Sequence, residues 1–197
     1  MASVSSQEMV QTAVQGREYQ GVSIPPVGMY ELDPTHTVVG FVARHMLSKV
    51  RGQFTEFTGT IEVGGSPEDS RVDVEVKTGS ITTHTEKRDQ HLMSGDFLEI
   101  EKHPVLTFTS TAVRPTGGTS FELDGDLTIK DITRPVTLSG EFLGWGPDME
   151  GKSMLAASAK TTIGMSAMAL PTLRRGRAST WCGSRRAAPA RCCFWAC

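Results

Sequence analysis

Nowhere does this 197-residue chain carry the apolar run of about 18 residues that a membrane-spanning helix needs. Residues 1–163 contain no Cys-x-x-Cys pair, no phosphate-binding glycine loop, no Gly-x-Ser-x-Gly elbow and no His-Glu-x-x-His pair. The usual sequence marks of nucleotide, serine-nucleophile and zinc chemistry are therefore missing. The opening "MASVSSQEMVQTAVQGREYQG" has neither a basic start nor an apolar core. It makes a poor secretory signal, and the expected location is cytoplasmic. Beyond Ile163 there is no acid and no lysine, and all four cysteines lie there with six of the arginines. The formal net charge of −2 thus hides an acidic body, −8 over residues 1–163, and a basic tail. An acidic body argues against nucleic acid as a partner.

What is present is strand-like. Residues 1–27 read as a mobile, weakly patterned lead closing on Ile24-Pro25-Pro26, and residues 28–163 as one β-domain. "HTVVGFVARHML" (36–47) puts Thr37, Val39, Phe41, Ala43 and His45 on one face. "KVRGQFTEFTGTIEV" (49–63) carries two glycines able to bend a strand. "RVDVEVKTGSI" alternates cleanly, with Val72, Val74 and Val76 inward. Runs at 105–113, 120–131, 134–145 and 153–163 follow, separated by short turns. Such a meander predicts an all-β protein, an antiparallel barrel of about eight strands wide enough for one ligand.

The stretch "HTEKRDQHLMSGDFLEIEKHP" (84–104) breaks this pattern. Thr83 and Glu86 have capping-box spacing, which predicts a short helix over 84–94 within an insertion at about 84–100. Its charged residues admit two readings. His84, Asp89 and His91 could serve acid–base chemistry, since histidine titrates near neutrality. Arg88 between the histidines disfavours a metal, so no metal site or cofactor is expected. The other reading is structural: Arg88 and Asp89 pair with loops while Leu92, Phe97 and Leu98 anchor the helix.

Three long segments resemble the YceI-like polyisoprenoid-binding family. They are "LDPTHTVVGFVARHMLSKVRGQFTEFTGTI", "SITTHTEKRDQHLMSGDFLEIEKHPVLTFTST" and "DGDLTIKDITRPVTL", in order and at suitable spacing over about 29–163. The resemblance implies an extended lipocalin-like barrel whose lumen holds a long isoprenoid chain, a quinone tail or a polyprenyl lipid, with no reaction assigned. It also implies that Arg88, Asp89 and Phe97 form a structural brace along the barrel. The family's secretory signal, present in many relatives, has no counterpart in this chain.

For a carrier of this kind, inward apolar residues are the candidate contacts: Val39, Phe41, Ala43, Phe54, Phe57, Phe108, Leu127 and Ile129. Each has the alternative of being ordinary core, because a period of two cannot separate lumen from packing. His45 is a candidate for a polar headgroup, or a hydrogen-bonded structural histidine. Residues 164–197 lack the closing-strand pattern of the family, and their Arg, Ala, Pro and Cys bias is that of a shifted reading frame. A basic membrane-attracted tail, or a cysteine cluster that holds metal or an acyl chain, are the alternatives. Without closing strands, two exposed edges would favour a homodimer or edge-to-edge association, and a non-functional product. The expected partners are an isoprenoid lipid and, transiently, a membrane.

Overall fold

The computed structural model describes residues 16–45, 48–149, 151–163 and 190–196. A small hairpin comes first, β1 (Arg17–Tyr19) against β2 (Val22–Ile24), where the sequence pattern gave only a mobile lead. Its two-residue turn is Gln20-Gly21, both at positive φ (49° and 80°), the backbone a tight antiparallel hairpin requires.

The other strands are β3 (Gly28–Glu31), β4 (Val38–His45), β5 (Ser48–Phe54), β6 (Phe57–Val63), β7 (Arg71–Lys77), β8 (Ile81–Thr82), β9 (Val105–Gly117), β10 (Ser120–Ile129), β11 (Ile132–Pro147), β12 (Ser153–Ile163) and β13 (Ala190–Ala196). They form one antiparallel sheet in the order β3-β6-β7-β9-β10-β11-β12-β13-β4-β5-β8. Helix α1 (Glu86–Met93) is inserted between β8 and β9.

The sheet closes through a shared corner. β5 runs into β6 across Thr55-Glu56, and β7 runs into β8 across one short 3-10 turn, Thr78–Ser80. The two bent strands stay paired through the bend, with the Thr55 amide donating to the Ser80 carbonyl at 3.2 Å and the Lys77 amide to the Glu56 carbonyl at 2.9 Å. Counting each bent strand once, eight long strands make a ring, and β3 is an extra strand on β6. The gap between β12 and β4 is filled from the tail: β13 pairs with β12 from Ala157↔Ala196 to Ile163↔Ala190, and with β4 from Val42↔Arg191 to Val38↔Trp195. The closing strand left in doubt by the sequence is therefore present. The bend falls at Thr55-Glu56, not at either glycine of the 49–63 run.

Alternation places the core as the pattern predicts. Val74 and Val76 on β7, Leu106 and Phe108 on β9, and Leu123, Leu127 and Ile129 on β10 are buried on one face, and Val76 is fully inaccessible. Phenylalanines lie across glycines on neighbouring strands, Phe41 over Gly52 and Phe121 over Gly140, each pair in direct register. A side chain at either glycine would occupy the ring's position. We expect Gly52→Val to destabilise the barrel by about 1–3 kcal/mol through overpacking. Gly28→Val, where the nearest foreign atom is 3.9 Å from an added Cβ, should change little; urea unfolding midpoints of the two variants check this.

Candidate functional site

The insertion seals one end of the barrel. Leu92, Met93, Leu98 and Ile100 pack with Val39, Phe41, Phe54, Ile81, Leu106, Leu127 and Ile129 in one continuous core. Behind them, the Thr78 hydroxyl donates to the His103 carbonyl at 2.7 Å and the Thr78 amide to the Pro104 carbonyl at 2.9 Å. Glu99 ties the same segment to the β10–β11 turn. Its carboxylate meets Lys102 at 2.5 Å and Lys130 at 3.8 Å, and the hydrogen bond from Lys102 does most to hold its pKa below the usual range, burial opposing.

The helix starts at Glu86, two residues after the expected start, and Thr83 does not cap it. Thr83, 5% exposed, donates its hydroxyl to Asp89 at 2.5 Å and its amide to the same carboxylate at 2.9 Å. The Thr83 hydroxyl in turn accepts from Arg88 Nε at 2.6 Å, while Arg88 Nη2 donates to the Thr83 carbonyl and to the Thr85 hydroxyl, both at 3.0 Å. Arg88 and Asp89 thus act as the brace through Thr83, not through each other. Phe97 completes it by meeting the His91 ring edge-on, with centroids 5.0 Å apart. Burial alone would raise the Asp89 pKa, but the hydrogen bonds from Thr83, Thr82 and Thr85 outweigh it and the net shift is downward.

The three candidate acid–base residues do not form one group. His84 is exposed and precedes the helix at φ 59°. His91 is exposed and 3.5 Å from Asp96, and Asp89 is engaged by the threonines. Among the described residues no cluster of three His, Cys, Asp or Glu side chains is placed to hold a metal ion. The Asp-x-x-His start of the first signature is a turn lock instead. Asp33 accepts from His36 Nδ1 at 2.6 Å and from the Thr35 hydroxyl and amide at 2.7 and 2.8 Å, which together hold its pKa at about 2.

The opposite end is open and apolar. A cavity of about 210 Å³ is walled by Leu32, Ile61, Val63, Val72, Val74, Phe108, Val113, Phe121, Leu123, Leu138 and Leu155. Its polar lining is confined to Arg17, Tyr19 and a few hydroxyl residues such as Thr37, Ser70, Thr119 and Ser158. The β1–β2 hairpin lies at this mouth. Arg17 donates to the carbonyls of Pro25, Gly64 and Gly65 at 2.6–3.3 Å, so its guanidinium is occupied by backbone. Tyr19 holds Glu68 at 2.5 Å, and Trp145 Nε1 donates to the Ser23 hydroxyl at 3.0 Å. Val22, Ile24 and Pro25 of the hairpin add to the lining.

Of the candidate contacts, Phe108 lines this cavity. Phe57 lines a separate, more polar depression beside Pro34, Asp73 and Thr107, which Phe108 also borders. Val39, Leu127 and Ile129 are buried in the sealed core, Phe41 and Phe54 pack against it with ring centroids 5.9 Å apart, and Ala43 is half-buried. The side chain of His45 lies outside the described residues. Val39, Phe41, Phe54, Leu127 and Ile129 therefore stand on the inward face at the filled end. Leu138, Leu155 and Val113 were missed, although alternation on β9, β11 and β12 marks them as inward; the signal lacking was which end the insertion plugs.

A barrel with one plugged end and one apolar mouth is of lipocalin-like build, and the comparisons say which family has it. The YceI-like domain description matches residues 30–176. A UPF0312 protein of Azotobacter vinelandii is 38% identical over 118 residues, which is 59% of this chain and 62% of that protein. Another, from Pseudomonas putida, is 35% identical over 140 residues, 69% of this chain and 73% of the relative. The Campylobacter jejuni YCEI protein superposes with a TM-score of 0.58 at 31% identity, covering 70% of this chain and 82% of that one. Burkholderia cenocepacia BcnA gives 0.69 at 18% identity, over 84% and 98%, a likeness of fold. The chain belongs to the YceI-like family.

The brace can be tested through pH. Because the Asp89 pKa is lowered in the folded state, its stabilisation is complete above the ordinary carboxylate pKa of about 3.9 and fades as pH falls toward the lowered value. We expect Asp89→Ala to cost about 1–3 kcal/mol at neutral pH, since the buried Thr83 amide loses its acceptor. Urea unfolding at pH 7 and in stepwise acidified buffer should show the gap to the wild type closing as the pH drops.

Proposed function

We propose that this protein binds an isoprenoid lipid in its barrel lumen, as a carrier or reservoir and without catalysing a reaction. The observation that carries the reading is the mouth-end cavity, walled by aliphatic and phenyl side chains from β6 to β12 and free of any converging acid–base group. The family signatures of the chain support it, as does the absence of an alignment between His84, Asp89 and His91.

Energetics shape how such a carrier works. Removing some forty carbons from water at about 0.8 kcal/mol per methylene would be worth roughly 30 kcal/mol, far beyond real affinities. The lipid's alternative is a bilayer, where that quantity nearly cancels. Loading then depends on fit, and exchange with membranes during transient contact is feasible. No described helix is long and apolar enough to cross a membrane.

Leu155 stands half-buried at the mouth, where a carboxylate keeps its hydration. Leu155→Asp should lower co-purifying isoprenoid about tenfold, the equivalent of about 1.4 kcal/mol, and leave the thermal midpoint within a few degrees. Replacing both His84 and His91 by alanine should leave the lipid load unchanged. Mass spectra of the extracted lipid decide both; a normal load in the Leu155→Asp protein rules out the cavity as the site.

A further inference from the structure

We infer that the β1–β2 hairpin is a lid across the cavity mouth and that the Trp145 indole is the clasp holding it shut, which sets how fast lipid enters and leaves. This rests on the carrier reading and adds its gate.

The hairpin reaches from one wall of the mouth to the other. On one side the chain runs through Pro25-Pro26 into β3, which pairs with β6 from Gly28↔Val63 to Glu31↔Thr60. On that side Arg17 donates to the Gly64 and Gly65 carbonyls at 3.0 and 2.6 Å, and the Tyr19 hydroxyl to Glu68, all in the connection from β6 to β7. On the other side the hairpin meets Trp145 of β11, four strands from β6 in the sheet order. Alternation gives it two unlike faces. Arg17, Tyr19, Val22 and Ile24 line the cavity. Gly16 and Ser23 stand on the opposite face, against the indole. Trp145 Nε1 donates to the Ser23 hydroxyl at 3.0 Å, and a Cβ on Gly16 would overlap the same ring. Gly16, Ser23 and Trp145 are not among the cavity's lining residues.

This attachment is built to open. Among the described residues β1 and β2 pair only with each other, as a two-stranded sheet outside the eleven-stranded one. Lifting the hairpin therefore breaks no ladder hydrogen bond of the barrel. Two strands alone are marginally stable, and segments held by few contacts are the ones that open at low cost. The β6 side keeps the covalent link and the Arg17 and Tyr19 bonds, whereas the β11 side has the indole. The hinge is thus Pro25-Pro26 and the clasp is Trp145. Because the clasp lies on the face turned away from the cavity, it biases opening equally with the lumen empty or full. Weakening it speeds entry and exit by the same factor and leaves the bound amount unchanged. A residue that touched the ligand would change that amount.

The test compares rates with equilibrium load. Delipidated full-length protein is mixed with phosphatidylcholine vesicles containing radiolabelled octaprenol. Uptake, release into excess unlabelled vesicles and final load are measured after the vesicles are floated off. Trp145→Ala should raise both rates about tenfold and leave the load unchanged. Trp145→Phe, which keeps a ring but loses the donor, should raise them about threefold. Gly16→Ala, whose methyl group pushes against the indole, should also speed exchange, but should add nothing in a Trp145→Ala background. Circular dichroism melts identify folded variants. Unchanged rates in folded Trp145→Ala, a load that falls while uptake stays constant, or Gly16→Ala acting equally in both backgrounds overturns the clasp. A folded wild type that retains no octaprenol overturns the carrier reading, and hydrogen exchange of the empty protein then decides the lid. Faster exchange of the amides of residues 17–24 in Trp145→Ala upholds it, and unchanged protection overturns it.

Discussion

The hydroxyl of Thr83 is the joint on which the barrel's lower end depends. Its oxygen accepts from Arg88 and its proton goes to Asp89, while its methyl group lies near Gly52 beneath the Phe41 ring. One buried side chain therefore connects the helical insertion to the β4–β5 wall on its apolar side and to two opposite charges on its polar side. Hydrogen bonds to charged partners are worth more than neutral ones, and a buried threonine left without them would carry a desolvation penalty. Sealing that end with Leu92, Met93, Leu98 and Ile100 is possible because this joint fixes where the helix lies.

With one end plugged, the rest of the lumen becomes a well. A closed ring of strands must bury its inward residues or leave them facing a void, and the outcome depends on how many bulky side chains each level supplies. At the sealed end β4, β5, β7, β8, β9 and β10 each offer a large apolar residue and the insertion adds more. Toward β11 and β12 the inward residues shrink to Ala157 and Ala159, and packing fails. The cavity is thus a consequence of side-chain volume along β12 as much as of any dedicated pocket residue. Charged groups stand outside the well: Arg114 bridges Glu122 and Asp124 on the outer wall, and at the mouth Arg17 is held by backbone carbonyls.

Much of this architecture is written in two-residue alternation. The Val72, Val74, Val76 pattern marks the face of β7, and the runs at 105–113 and 153–163 fall inside strands β9 and β12, while that at 120–131 overruns β10 by two residues. Arg88 and Asp89 are each held through Thr83, a partner that the charge pattern of the helix does not name. The helix boundary was not legible either. Thr83 has two uses for its hydroxyl, capping and pairing with Asp89, and only the three-dimensional position of Asp89 selects between them. The β1–β2 hairpin escaped because its strands are three residues long and half-buried, too short to show a period. β13 escaped because its seven residues, ARCCFWA, show no two-residue alternation within an arginine-, alanine- and cysteine-rich tail.

The cavity's location is the deeper omission, and its cause is general. Alternation reports the face on which a side chain stands but not its level along the barrel axis, so Val39, Leu127 and Ile129 were as good candidates as Val72, Leu138 and Leu155. Level is encoded in pairs of residues. A phenylalanine opposite or diagonal to a glycine marks where a ring lies against the neighbouring strand, as Phe108 does over Gly125 and Phe121 over Gly140. Both rings line the cavity, the first buried and the second half-buried. The difference lies in what stands beside the ring on the next strands, packed leucine and valine below Phe108, small residues of β12 near the mouth. Reading depth from a barrel sequence therefore requires the register between strands, which no single strand's pattern contains.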